Sequence, residues 1–203
     1  PEAEVVETAI RSMGLTELTP FEPEKKIIEY VSRPSTPLMD LGAREFVDVL
    51  SSDAPAPGGG SVAALAGAMS AGLSTMVAAL TFGKKGHEDK NPVMDEVGAK
   101  GQALKDWFAL AVDRDTDAFN KVMDAFGLPK KTDEAKAARA AAILDANKGA
   151  TLVPLEVLER CEEAAAMAAA MVADGNPNSL SDAGVAGLCA VAAAKGAYYN
   201  VLI

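Results

Sequence analysis

Apolar residues recur every three or four positions over long stretches of this chain, which is the spacing of one face of an α-helix. The longest series runs from Val97 through Phe108 to Ala125. It predicts one helix over 93–126, ended by Gly127. No alternating run indicates a strand, and no unit of about 20 to 50 residues repeats. We therefore expect an all-α fold, a bundle of five to six long helices.

Residues that cap or stop helices divide the rest of the chain. Because proline and serine concentrate in the stretch 32–37, we predict a leader with a linker over 1–39 and a main helical domain over 40–203. The other expected helices are 2–13, stopped by Gly14; a turn or two over 24–30; a helix capped by Asp40 and running through Leu50; Ser61–Phe82; 132–173, interrupted or kinked near Pro154; and a last helix from Ser179 or Ser181 to Ile203.

The composition favours closely packed helices and argues against nucleic-acid binding and against a multi-histidine metal site. Hydrophobic residues make up 49% of the chain and aromatic residues only 5%, so faces rich in alanine can approach each other closely. The formal net charge of −10 argues against a nucleic-acid partner, which needs a basic face. The single histidine, His87, excludes a multi-histidine metal site. We expect no metal, and His87 in a solvated loop.

The cysteines and the longest apolar run bear on the location of the protein. Cys161 and Cys189 lie in apolar helical stretches without paired spacing, which favours buried, reduced thiols and a cytoplasmic protein. The run 62–82 approaches the length that spans a membrane, but it consists mostly of small residues and Thr rather than Leu and Ile. We therefore expect a buried helix and no membrane partner.

A glycine-rich loop, Ala54-Pro-Ala-Pro-Gly-Gly-Gly-Ser61, leads into the expected helix Ser61–Phe82. Ser61 stands where a helix N-cap is expected, and free N–H groups at such a helix start favour an anionic or electron-rich ligand. Gly58, Gly59, Gly60 and Ser61 are therefore candidate substrate-binding residues. A tight turn that lets a small-residue helix start near its neighbours explains the loop equally well. The loop has neither the Lys-Ser/Thr pair of a Walker loop nor the strand that precedes a dinucleotide fingerprint.

Asp115 stands out because it occupies a position of the apolar series on the longest helix. Its neighbours three and four residues away are all apolar: Ala111, Val112, Ala118 and Phe119. A carboxylate there costs several kcal/mol unless it is paired, hydrated or in a cleft. Either a buried pairing or a catalytic carboxylate with a tuned pKa explains it. Asp117 has polar neighbours and is expected on the surface, with Asp113 intermediate.

Three weaker candidates lie near helix ends. Lys84 and Lys85 attract a polyanion or solvate the C-terminal end of the preceding helix. Asn178, Ser181 and Asp182 cluster at the start of the last helix, where capping or ligand contact explains them. A separate residue, Asn200, lies among apolar residues and is expected to form a buried structural hydrogen bond.

Several motifs in order resemble one known family. They are Ala-Pro-Gly-Gly-Gly-Ser-Val-Ala-Ala (56–64), Phe-Gly-Lys-Lys (82–85), Asp-Arg-Asp-Thr-Asp-Ala-Phe (113–119), Leu-Pro-Lys (128–130), Gly-Asn (175–176), Ser-Asp (181–182) and Gly-Ala-Tyr-Tyr-Asn-Val-Leu-Ile (196–203). From about residue 41 onward, the chain resembles the cyclodeaminase domain of formimidoyltransferase-cyclodeaminase. Residues 14–30 resemble the tail of the formimidoyltransferase part.

The resemblance implies an activity, a catalytic residue and partners. It implies conversion of 5-formimidoyltetrahydrofolate to 5,10-methenyltetrahydrofolate with release of ammonia, in histidine degradation. The family's catalytic aspartate falls on Asp115. An all-helical homodimer is implied, together with a formimidoyltransferase domain or partner. The tetrahydrofolate derivative is the substrate, and no tightly bound cofactor is expected. Lys84 and Lys85 are then candidates for the carboxylates of a polyglutamylated folate.

The sequence leaves two alternatives open. Some members of the same family are methenyltetrahydrofolate cyclohydrolases, and the motifs do not separate the two activities. A non-catalytic helical interaction module, in which the glycine loop is only a turn, is the alternative from another class. Release of ammonia from the formimidoyl substrate would favour the cyclodeaminase, whereas failure to bind any reduced folate would favour the interaction module.

Overall fold

The helices of this protein are held in two separate units of the chain. A computed structural model describes residues 2–17, 20–26 and 37–203, and the chain divides into Pro1–Thr36 and Pro37–Ile203. In the first unit, helix α1 (Glu2–Ser12) is followed by a turn in which Gly14 takes a positive φ of 63°, a conformation that glycine adopts without strain. Residues Pro23–Lys26 form one helical turn. The rest of the turn expected over 24–30, and the linker up to residue 36, lie outside the described residues.

The second unit confirms the predicted all-α fold, with no strand among the residues that the structure describes. Its helices are α2 (Ala43–Leu50), α3 (Gly59–Thr81), α4 (Asn91–Gly127), α5 (Asp133–Asp174) and α6 (Leu180–Val201). Short 3₁₀ turns precede α2, α4 and α6, at Leu38–Asp40, Glu88–Lys90 and Pro177–Ser179.

The structure bears on three expected details of the helices. Asp40 does not cap α2, because residues 41 and 42 remain outside the helix and Gly42 takes the N-cap position. Pro154 does not interrupt α5, which continues through it. A proline has no N–H to donate to the carbonyl four residues earlier, so the carbonyl of Ala150 lacks its usual helical donor. The predicted cap at Thr132 is confirmed, since its hydroxyl accepts from the N–H of Ala135.

Helix α3 packs against α4, α5 and α6 and forms the centre of the bundle. Small residues allow this packing: a Cβ on Gly67 would lie 2.6 Å from the ring of Phe108 on α4. On the other side, a Cβ on Gly196 of α6 would lie 3.0 Å from the Cβ of Ala63. The two helices richest in small residues, α3 and α6, therefore pack closely within one chain.

Two segments, α3 and Pro177–Val201, are long and apolar enough to cross a membrane by length and composition alone. In α3, 56% of the most apolar window is buried inside the bundle, as in the core helix of a packed domain. For Pro177–Val201 the buried share is 28%. The outer face of α6 therefore exposes large apolar side chains, including Leu188 (70% exposed) and Tyr199 (64%).

Candidate active site

A cavity of about 420 Å³ lies at the end of the bundle where α3 begins. Four parts of the second unit meet there: the glycine loop, the middle of α4, the middle of α5 and the end of α6. The lining residues are Pro55, Ala56, Gly58, Gly59 and Gly60 from the loop and first turn of α3; Asp115, Phe119 and Val122 from α4; Asn147, Ala150, Thr151 and Pro154 from α5; and Asn200 and Ile203 from the C-terminal end.

Asp115 is the one ionisable side chain among those lining residues. Its Oδ2 accepts a hydrogen bond from the hydroxyl of Ser61 at 2.9 Å, and the backbone N–H of Ser61 donates to the same carboxylate. The Ser61 hydroxyl is also 3.2 Å from the hydroxyl of Thr116. The apolar series on α4 therefore located a carboxylate that contacts the start of α3. The glycine loop and Asp115, two separate features of the sequence, meet at this contact.

Ser61 does not cap α3, contrary to the sequence prediction. The helix begins two residues earlier, at Gly59, with Gly58 in the N-cap position and no side-chain cap of its own. Ser61 is the third helical residue and is completely buried. The carboxylate of Asp115, from another helix, accepts from the Ser61 N–H, one of the four at the start of α3 that have no intrahelical partner. The positive end of the α3 dipole favours its ionised form.

The three consecutive glycines have different surroundings. A Cβ on Gly60 would lie 2.5 Å from Cγ of Asp115, so only glycine leaves room for that carboxylate. A Cβ on Gly59 would lie 3.3 Å from Nδ2 of Asn200. A Cβ on Gly58 would meet nothing within 4 Å. At Gly60, the missing side chain therefore makes room for the carboxylate of Asp115 rather than for a ligand.

Opposing influences act on the pKa of Asp115. Burial raises the pKa above its ordinary value of 3.8, while the hydrogen bonds from the hydroxyl and the backbone N–H of Ser61 lower it. Burial is the larger influence, and the pKa is raised overall. A carboxylate of this kind takes up and returns a proton more readily than an exposed one at neutral pH.

The neighbouring aspartates confirm the assignment of faces on α4. Asp117 is exposed, and Asp113 is intermediate. The carboxylate of Asp113 accepts a hydrogen bond from the backbone N–H of Leu38. This bond ties the 3₁₀ turn Leu38–Asp40 to α4, so Leu38 belongs with the bundle rather than with the leader.

The structure does not bring the other predicted binding residues into this cavity. Lys84 and Lys85 follow α3 at its far end, roughly 33 Å from Gly59 at 1.5 Å per helical residue. Lys84 donates to Oδ1 of Asn176, and Lys85 is exposed. The remaining three, Asn178, Ser181 and Asp182, lie at the start of α6, at that same end. Capping does not explain Ser181 either, since Ser179 holds the N-cap position and makes no side-chain cap bond.

The cavity also contains polar residues that sequence reasoning missed. Asn147 and Thr151 lie one turn apart on α5, and Pro154 follows on the same face. The carboxamide of Asn147 makes no hydrogen bond among the described residues. Asn200 was expected only as a structural hydrogen-bonder. Its Nδ2 donates to the carbonyl of Gly196 at 2.8 Å, and it also lines the cavity.

Residues 2–17, 20–26 and 37–203 hold no group of three or more His, Cys, Asp or Glu that could bind a metal ion. Cys161 is buried as predicted, and burial raises the pKa of its thiol to about 11. Cys189 is half-buried, so its predicted burial is only partial. His87 is also intermediate in exposure.

Comparison with known proteins places this arrangement in a family. The chain is 46% identical over 158 residues to a methenyltetrahydrofolate cyclohydrolase of Methylorubrum extorquens, covering 78% of this chain and 76% of that protein. It is 34% identical over 201 residues to mouse formimidoyltransferase-cyclodeaminase, covering 98% of this chain. The match spans only 37% of the mouse protein.

A solved structure has the same fold. The crystal structure of formiminotetrahydrofolate cyclodeaminase from Thermotoga maritima superimposes with a TM-score of 0.71 at 31% identity, covering 80% of this chain and 77% of that one. The sequence profile of formiminotransferase-cyclodeaminase matches residues 42–203. The chain thus belongs to the formiminotransferase-cyclodeaminase family.

Proposed function

We propose that this chain is a formimidoyltetrahydrofolate cyclodeaminase, an ammonia-lyase that uses Asp115 as its proton carrier. The observation that carries the proposal is a single carboxylate, held at the N-terminus of α3, beside a cavity that no other ionisable side chain of the described residues lines. The match over 201 residues to mouse formimidoyltransferase-cyclodeaminase supports the proposal. That match covers 98% of the chain, so it includes most of residues 1–41, where the sequence resembles the tail of the formimidoyltransferase part. A place in histidine degradation follows from the substrate.

The reaction needs one group that moves a proton. N10 of the folate attacks the carbon of the protonated formimidoyl group on N5, which forms a tetrahedral carbon bonded to both nitrogens and to an amine. Ionised Asp115 accepts the proton that N10 loses and then donates it to the amine, which leaves as ammonia. The N5–C–N10 bridge keeps the positive charge as the methenyl product. Asp115 is then ionised again and stabilises that cation.

The remaining walls of the cavity suit a pterin ring. Phe119, Val122 and Pro154 provide apolar surface, and the unpartnered carboxamide of Asn147 offers both a donor and an acceptor to the amide-like edge of the ring. The carbonyl of Ala150, deprived of its usual helical donor by Pro154, adds an acceptor. A few polar groups in an otherwise apolar cavity are typical of small-molecule sites.

The second candidate function is methenyltetrahydrofolate cyclohydrolase. The 46% identity to the Methylorubrum extorquens protein favours it. In that reaction Asp115 would accept a proton from the water that attacks the methenyl carbon and donate it to N5 as the carbon–N5 bond breaks, while the hydroxyl on that carbon loses its proton to solvent and becomes the formyl oxygen. The same site geometry therefore serves either activity.

We also propose that the chain forms a homodimer. The apolar outer face of α6, with Leu188 and Tyr199 widely exposed, supports an interface there. Light scattering across a dilution series tests this proposal. A mass of one chain at micromolar concentration would contradict it.

One assay separates the candidate functions. The purified chain is incubated with 5-formimidoyltetrahydrofolate while methenyl absorbance and ammonia are followed together, and separately with 5,10-methenyltetrahydrofolate while loss of absorbance is followed. A cyclodeaminase gives equal amounts of methenyl product and ammonia, whereas a cyclohydrolase consumes the methenyl substrate without ammonia. If neither substrate reacts and calorimetry detects no binding of a reduced folate, a non-catalytic role is indicated.

A further inference from the structure

We propose that Ser61 is a positioning residue, whose hydroxyl holds the carboxylate of Asp115 in one orientation against the start of α3. Its catalytic consequence rests on the proposed function of Asp115, but its structural part does not. Ser61 is completely buried, and it is absent from the residues that line the cavity. It therefore acts through Asp115 rather than on the substrate.

The direction of the hydrogen bonds follows from the chemistry of the three groups. An ionised carboxylate only accepts, and a serine hydroxyl has one hydrogen to donate. The hydrogen of Ser61 is therefore given to Oδ2 of Asp115, and the hydroxyl of Thr116 donates to Ser61 Oγ, 3.2 Å away. Thr116, Ser61 and Asp115 form a chain of donors that ends on the carboxylate, and each bond polarises the next.

The chain of side-chain hydrogen bonds ends on one oxygen of the carboxylate, Oδ2. Oδ1 takes no side-chain hydrogen bond from any described residue, so it is the oxygen that can carry the proton while Oδ2 keeps its bond to Ser61. When Oδ1 is protonated, Oδ2 still accepts from Ser61. The same contact thus holds both protonation states of Asp115 in one rotamer, which lets the group return its proton from the position where it received it.

Among the described residues that line the cavity, no side chain other than that of Asp115 is ionisable. From α5 the cavity presents Asn147 and Thr151, and from α6 it presents Asn200, none of which titrates. On α4, Asp113 accepts from the backbone of Leu38, and Asp117 is exposed. Burial raises the pKa of Asp115, and the bonds from Ser61 oppose that rise.

The test is a titration of the Asp115 side chain by carbon NMR in the aspartate-labelled full chain, which needs no substrate. Ser61→Ala is expected to raise the pKa of Asp115 by about one unit. Ser61→Thr keeps the hydroxyl and should restore the parent value. Ser70→Ala is the matched control, because Ser70 is another fully buried serine of α3 and its hydroxyl has no hydrogen-bond partner in the part of the chain that the structure describes. It should leave the titration unchanged.

Activity provides the second readout. In the parent enzyme, the acid limb of the kcat/KM pH profile reports the ionisation of Asp115. Ser61→Ala should move this limb to higher pH by about one pH unit, the same shift as in the NMR titration. KM should change less than kcat. Should Ser61→Ala fail to fold, Thr116→Val, which removes the donor to Ser61, should raise the same pKa by a smaller amount.

An unchanged Asp115 titration in folded Ser61→Ala, or in Thr116→Val if Ser61→Ala does not fold, would overturn the inference. An unmoved acid limb in an active Ser61→Ala variant would overturn it while leaving the proposed function intact. A parent chain that reacts with neither folate would instead overturn the proposed function. The NMR titration would then still decide whether Ser61 positions Asp115.

Discussion

Gly60 on α3 and Asp115 on α4 share one space: a Cβ on residue 60 would lie 2.5 Å from Cγ of Asp115. This contact explains why a helix with no side-chain cap begins so close to a neighbouring helix. The carboxylate enters through the gap that glycine leaves and meets the N–H of Ser61. The loop and the aspartate therefore form one structural unit.

Gly60→Ala should displace the carboxylate and lower turnover by about 10²-fold or more, because the proton carrier no longer meets the substrate at the right distance. Gly72→Ala is the matched control, since Gly72 lies on the same helix, does not line the cavity, and would have nothing within 4 Å of its Cβ. Both variants are compared by kcat/KM after circular dichroism has verified the fold. Parent-like turnover in Gly60→Ala would show that the close contact is dispensable.

The raised pKa of Asp115 makes stability depend on pH in a defined direction. Between 3.8 and the higher folded-state value, the native protein binds this proton more readily than the unfolded chain does. The contribution is thus fully present below pH 3.8 and is lost as pH rises through the folded-state pKa. Asp115→Asn cannot titrate, so its free energy of unfolding relative to the parent should increase as pH rises through this window. Urea unfolding at several pH values measures it, and a flat or falling difference would contradict the assigned shift.

Lys85 tests whether a single chain holds the complete site. It lies at the far end of α3, and within one chain it is too distant to contact a folate bound beside Asp115. Lys85→Ala should leave KM unchanged for monoglutamyl and polyglutamyl substrates alike, at low and at high salt. A selective rise in KM for the polyglutamyl substrate at low salt would show that a lysine of a second chain contacts the substrate.

The centre of the bundle should tolerate little extra volume. Ala71 on α3 is fully buried, and Ala71→Leu should lower the free energy of unfolding by roughly 1–3 kcal/mol through overpacking. Met69→Leu, at a half-exposed position of the same helix, should change it much less. Denaturant unfolding of both variants measures the difference. Equal stability of Ala71→Leu and the parent would argue against close packing of α3.

Periodicity predicted much of this molecule because helices dominate it. The series on α4 located Asp115, since one polar residue in an apolar series stands out without any structure. The role of Ser61 was not predictable in the same way, because local capping rules apply to side chains near a helix start and take no account of a carboxylate supplied by another helix. Asn147 and Thr151 were missed because a polar pair one turn apart is also typical of a solvated face.

The separation of Lys84 from the glycine loop could have been predicted. A helix over 61–82 has two ends roughly 30 Å apart at 1.5 Å per residue. Residues that follow it cannot share a small site with residues that precede it in the same chain. The family motifs include residues at both ends of this helix, and their order along the chain says nothing about the distance between them.

Turnover of Asp115→Asn with 5-formimidoyltetrahydrofolate tests most directly whether Asp115 carries the proton. The amide fills the same space and can still accept from the N-terminus of α3, but it cannot shuttle a proton. Ammonia release should fall by about 10²–10⁴-fold, while folate affinity changes much less and exposed Asp117→Asn stays near the parent. If folded Asp115→Asn releases ammonia within a few-fold of an active parent, Asp115 is structural and the mechanism is wrong.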